Sequence, residues 1–153
     1  MTAKEYLNQA YKIDRRIQIT LAKAEKMRSG ITYKSPSFDS AGSPQGGSDK
    51  LSEAIAKVVD YEREANELIN KLVSKRIEIE QTIQSVQDAV QREVLERRYL
   101  LYQQWESRFD ERTGEYIKGI AEEMGFSRRR IFQIHGEALK TLHQIALNCT
   151  YDL

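Results

Sequence analysis

Apolar residues recur at intervals of three and four along most of this chain, and the places where the rhythm breaks divide it into segments. Tyr6, Ala10, Ile13, Ile17, Leu21 and Ala24 form one face of a helix expected over Thr2–Met27. Lys12, Arg15, Arg16, Lys23, Lys26 and Arg28 are among the polar positions, where they solubilise the helix and are placed to pair with an acidic neighbour. Gly30 is the expected stop, since helices commonly close on a glycine in the left-handed region. Residues Ile31–Ser48 (ITYKSPSFDSAGSPQGGS) contain both prolines of the chain together with a surplus of serine and glycine, so residues 30–48 are expected to be a flexible link between two antiparallel helices. A longer helix is expected from Asp49 to about Val86, capped by Ser48 or Asp49. Leu51, Ile55, Val58, Ala65, Ile69, Leu72, Ile79, Ile83, Val86 and Val90 lie on an alternating four-and-three series, the seam of a coiled coil. Glu62 and Arg76 interrupt that seam. The first helix is the shorter of the two, so the second has apolar surface to spare. Ile69, Leu72, Ile79 and Ile83 are the expected contacts of a homodimer.

Near Gln87 the pattern bends or restarts. REVLERRYLLYQQW offers Val94, Leu95, Tyr99, Leu101 and Tyr102 as apolar contacts, with Trp105 close behind. Residues 103–116 are rich in charge, and Trp105, Phe109 and Tyr116 suit a loop or a short hairpin about Thr113–Gly114. From Gly119 to Leu142 the spacing becomes specific. Ile120 and Ala121 precede Gly125 by five and four residues, Met124 and Phe126 flank it, and Ile131 and Ile134 come six and nine residues later. That is the register of a helix-turn-helix, with glycine where the turn needs positive φ and Ala121 where the helices cross closely. Ser127 is a suitable N-cap. The outward side then holds Ser127, Arg128, Arg129, Phe132, Gln133 and Gly136, with Arg130 completing the run of three arginines. Cations in a first turn oppose the helix dipole by about 0.3–1 kcal/mol each, so their placement is better explained by an anionic ligand than by folding. DNA suits them, because the N-terminal residues of a recognition helix enter the major groove. Arg97 and Arg98, on the preceding helix, fit either phosphate contact or ordinary surface placement.

Composition narrows the possibilities. The 153 residues are 31% charged and 40% hydrophobic, which suits an all-α fold. The expected division is a helical hairpin over residues 1–88, a helix-turn-helix module over 89–147, and a tail over 148–153. Net charge is +1, so any affinity for double-stranded DNA must come from a local patch. Cys149 is the only cysteine, which excludes a disulfide framework and fits a reducing, cytoplasmic setting. No apolar run is long enough for a signal peptide or a membrane span. His135 and His143 are eight residues apart on one helix, about 12 Å along its axis and too far to share a metal. With no phosphate loop and no nucleophile beside a base, the expectation is a non-enzyme without cofactor.

REVLERRY (Arg92–Tyr99), the helix-turn-helix and ALKTL (Ala138–Leu142) together resemble region 4 of the sigma-70 family, and more closely the phage-encoded ArpU/RinA-like late regulators that share this layout. The resemblance covers the C-terminal third to two-fifths of the chain. It implies a promoter-reading helix from Ser127 and a possible meeting with RNA polymerase. The segment 103–116 departs from it by its length. The expected function is sequence-specific DNA binding in transcription, as a phage-type activator of late genes. A small terminase-like packaging subunit and a structural adaptor that does not bind DNA are the alternatives.

Overall fold

The computed structural model describes residues 1–33 and 47–151. Its order is α1 (Ala3–Leu7), α2 (Gln9–Tyr33), α3 (Gly47–Gln84), α4 (Ala89–Leu95) continued by a π-helical turn (Glu96–Leu100), β1 (Arg108–Asp110), β2 (Glu115–Ile117), α5 (Ile120–Glu123) and α6 (Arg128–Tyr151). The fold is mostly helical, as expected, with one two-stranded hairpin added. No helix among the described residues is long and apolar enough to cross a membrane.

Local chemistry explains most of the boundaries. Thr2 and Glu5 form a capping box, in which the Glu5 amide donates to Thr2 Oγ1 at 3.2 Å and the Thr2 amide donates to Glu5 Oε2 at 2.7 Å. The chain then kinks at Asn8, whose side chain donates to the Lys4 carbonyl at 2.9 Å, so the expected single N-terminal helix is two. Asp88 starts α4 by accepting from the amides of Val90 and Gln91, both at 2.9 Å, and so accounts for the restart expected near Gln87. Gly30 does not stop α2, which continues to Tyr33. A helical glycine costs about 1 kcal/mol relative to alanine, too little to end a helix whose neighbours continue it. Of the expected link at 30–48, residues 34–46 lie outside the described residues, as do Asp152 and Leu153. The expected tail is also corrected: α6 runs on through Asn148 to Tyr151, a stretch with no glycine or proline to stop it.

The described chain falls into two compact units, Lys12–Val73 and a second formed by Met1–Tyr11 with Ser74–Leu153. The expected boundary between residues 88 and 89 therefore lies inside the second unit. In the first unit α2 and α3 run antiparallel. Arg16 pairs with Glu64 at 3.3 Å, Lys23 lies 5.9 Å from the Tyr61 ring centre, and Arg28 pairs with Glu62. The basic face of α2 thus meets an acidic one, as its charges suggested. Ile17, Thr20, Ala24, Val58 and Ala65 are buried there. The expected seam holds only in part, since Leu21, Leu51, Ile55 and Ile69 are exposed and Thr20 is buried in place of Leu21.

In the second unit, Leu7, Ile79, Ile83, Val86, Leu95 and Tyr99 are buried, and α4 and α1 pack against α6. Tyr6 ties α1 to α3 by donating to Glu78 at 2.9 Å and bonding Thr82 at 3.1 Å. Ile79 and Ile83 are consumed by this core, so they are not available to a homodimer as expected. Leu101 is exposed rather than packed: it caps the end of the π-helical turn, and the next residue, Tyr102, has a φ of 55°.

Candidate nucleic-acid interface

A small core holds the C-terminal helices together. Val94 of α4, Ile120 of α5, and Ile131 and Ile134 of α6 are buried in one cluster, with Trp105, Ala121, Met124 and Phe126 packed around it. Every apolar position inferred from the spacing around Gly125 is in this cluster. The turn closes by paired backbone bonds: the Gly125 amide donates to Glu122 at 3.1 Å and the Phe126 amide to Ala121 at 2.9 Å. This is the glycine-dependent helix ending in which the chain turns through the left-handed region, and Gly125 has a φ of 72°. Ser127 then starts α6, its Oγ accepting the Arg130 amide at 3.2 Å.

With Ile131 and Ile134 turned inward, Arg128, Arg129, Arg130, Phe132 and Gln133 are all exposed at the beginning of α6. Gln133 donates to Glu137 at 3.0 Å along the helix surface, which orients its amide without burying it. Arg128 reaches Glu106 at 2.7 Å and lies 5.9 Å from the Phe132 ring centre. Both partners of that ion pair are more than half exposed, so the pair is weak, of order 0–1 kcal/mol, and readily exchanged for another anion.

Arg97 and Arg98 have internal work instead. Arg97 pairs with Glu93 at 2.8 Å and with Glu123 at 3.1 Å, and hydrogen bonding to Glu93 pushes its pKa above the ordinary value. Arg98 donates to the Gln103 carbonyl at 2.9 Å and lies 5.1 Å from the Trp105 ring centre. These two side chains fasten the π-helical turn to α5 and to the Gln103–Trp105 segment, and they are not gathered with the α6 arginines.

Residues 103–117, where a loop or a short hairpin about Thr113–Gly114 was expected, contain that hairpin and form a buttress. Gln104 and Trp105 accept the amides of Ile120 and Ala121 at 2.9 and 3.3 Å, so the segment caps the start of α5. The strands pair antiparallel, with Phe109 opposite Tyr116 and Asp110 opposite Glu115. Gly114, with a φ of 71°, closes the turn and donates to Asp110 at 2.8 Å. Phe109 and Tyr116 are exposed and do not anchor the hairpin. Tyr116 instead donates to Glu122 at 2.7 Å, and Ser107 donates to the same carboxylate. These bonds, Ser107 first, hold the Glu122 carboxyl below its usual pKa.

Trp105 is the residue that turns inward. Its ring lies 5.1 Å from Phe132 and 4.8 Å from His135, and His135 stacks on Tyr99 at 5.8 Å. The Tyr99 hydroxyl and His135 Nε2 are hydrogen-bonded at 2.9 Å. Burial, then the charges of Lys4 and Arg98, pushes the His135 pKa down to about 4, so the ring is neutral at physiological pH. The sequence pointed to His135 only as a metal ligand to be dismissed. Its place one helical turn after Ile131, on the flank of the core face, was the available signal for a packed ring. Glu106 carried no signal at all. Compared with models of known protein families, with curated proteins and with solved structures, the chain matches none.

Proposed function

We propose that this chain is a sequence-specific DNA-binding regulator of transcription that presents the first turn of α6 to the major groove. One observation carries the reading: three consecutive arginines, Arg128–Arg130, stand exposed at a helix N-terminus, backed by buried Ile131 and Ile134. The helix dipole and three like charges disfavour that arrangement in the free protein, and an incoming anion relieves both. Phosphate oxygens and guanine edges are anions or acceptors of the right geometry for guanidinium forks. Gln133, one turn further along, has an amide suited to adenine, and Phe132 offers an apolar edge to a thymine methyl. Arg97 and Arg98 are left out of this footprint because their guanidinium groups are held within the chain. The resemblance to sigma-70 region 4 and to phage late regulators is what suggests activation of late genes and a meeting with RNA polymerase.

The test is a titration of the full chain against duplex DNA from its own genomic neighbourhood, with a footprint of any site found. Arg128→Ala with Arg129→Ala is expected to preserve the circular-dichroism spectrum and to weaken specific binding at least tenfold, since one bidentate base contact is worth about 1–3 kcal/mol. Unchanged affinity of that double variant overturns the assignment.

A further inference from the structure

α3 carries apolar side chains that its own unit does not cover. Ile55, Val59, Ile69 and Val73 are 49%, 46%, 40% and 54% exposed, whereas Val58 and Ala65 of the same helix are buried. With 3.6 residues per turn, these four residues fall within an arc of about 80°, and Glu62 and Asn66 lie on the same arc between the two apolar pairs. The stripe is about 27 Å long from Ile55 to Val73 at 1.5 Å per residue. Apolar residues scattered singly over a surface need no partner, but two exposed pairs grouped on one helix face, with Glu62 and Asn66 between them, call for one.

The order of residues along the stripe identifies what covers it. About Glu64 the face is its own mirror in sequence: Ile55 and Val73 lie nine residues to either side, Val59 and Ile69 five, and Glu62 and Asn66 two. A surface that docks on itself across a two-fold axis must satisfy this reciprocity, residue i meeting j while j meets i. We propose that the face is the interface with a second copy of this chain, the two α3 helices lying antiparallel with the two-fold axis level with Glu64, whose own side chain is on the far side of the helix.

In that register Ile55 meets the partner's Val73, and Val59 meets the partner's Ile69, twice over. Glu62 sits at the centre beside the partner's Asn66, whose amide donates to the carboxylate. The charge of Glu62 is already matched within its own chain by Arg28, which lets it lie in an apolar stripe. A parallel pairing sets Glu62 directly against the partner's Glu62, whereas the antiparallel register separates the two by four positions, about 6 Å along the axis, and puts Asn66 beside each. The surface available is on the order of 1,000 Å² in total for the two stripes and their flanks, the lower bound for a specific interface. Association is therefore expected to be reversible and dependent on concentration. The inference stands apart from the DNA-binding reading, since none of these residues belongs to the α6 footprint.

Sedimentation equilibrium of the full chain, from below to above tens of micromolar, is expected to show a monomer–dimer transition. Ile55→Lys with Val73→Lys is expected to raise its midpoint at least tenfold while helicity is unchanged, both positions being exposed in the protomer. Register is read by disulfide cross-linking in a Cys149→Ser background. The double variant Ile55→Cys/Val73→Cys is expected to give a covalent dimer, and so is a mixture of the two single variants. Each single variant alone is expected to remain monomeric under denaturing conditions. A monomer throughout the concentration range overturns the interface, self-linking of Ile55→Cys alone overturns the antiparallel arrangement, and assemblies larger than a dimer overturn the two-fold.

Discussion

His135 is surrounded by groups that want it uncharged. Burial, Lys4 and Arg98 all act against the imidazolium, and the ring is wedged between Tyr99 and Trp105. The folded pKa of about 4 lies below the ordinary 6.5 of an exposed histidine, so in this interval the unfolded chain binds the proton more tightly than the folded one. The stabilisation is fully present above pH 6.5 and is lost as the pH falls from there towards about 4. Urea midpoints measured down this range are expected to decline, and His135→Gln is expected to flatten the decline in its upper part. Glu122 and Glu123, whose carboxyls are held below their usual values by Ser107 and Gln103 first, lose their contributions only at more acid pH. A profile for His135→Gln as steep as that of the unmodified chain between pH 6.5 and the carboxylate range would show that the ring does not titrate as described.

At the scale of elements, two glycines fix the geometry around α5 for different reasons. Gly125 has positive φ and open space where a Cβ would stand, so Gly125→Ala is expected to cost only the backbone strain, about 1–2 kcal/mol. Gly119 has an ordinary φ of −84°, but a Cβ there would overlap the Glu106 carbonyl carbon and stand 2.6 Å from the Trp105 carbonyl oxygen. No side-chain rotation relieves a clash with backbone. Gly119→Ala is expected to cost more than Gly125→Ala, about 3 kcal/mol or above, and to loosen the Gln103–Glu106 segment from α5. Thermal melts of the two variants rank them, and a smaller loss for Gly119→Ala contradicts the close approach. Of these two glycines only Gly125 was legible in the sequence. Turn spacing identifies a glycine that needs positive φ, whereas a glycine demanded by the backbone of Glu106 and Trp105, thirteen and fourteen residues earlier, leaves no local trace.

For the molecule as a whole, a net charge of +1 makes the location of positive charge more informative than its sum. If the α6 arginines are the phosphate-facing groups, the logarithm of the binding constant is expected to fall with the logarithm of salt with a slope of about −2 to −3 per protomer. Arg128→Ala/Arg129→Ala is expected to reduce that slope by about half or more. A slope unchanged in the double variant places the phosphate contacts elsewhere on the chain.

Local patterning along the chain was enough to specify the helical class, the restart near Gln87, the turn at Gly125, and the inward positions Ile120, Ile131 and Ile134. Each depends on interactions within a few residues, where apolar spacing, caps and turn chemistry act directly. Tertiary structure decided the rest. Leu7, Ile79, Ile83 and Val86 are buried in the unit that holds α6, so the hairpin expected over 1–88 is divided between two units. Periodicity identifies an apolar face but not its partner, and for that reason it overestimated the seam shared by α2 and α3. Trp105, Glu106 and His135 converge on the start of α6 from segments up to thirty residues apart. Contacts at that separation depend on how far the chain folds back on itself, and no pattern of neighbouring residues records it.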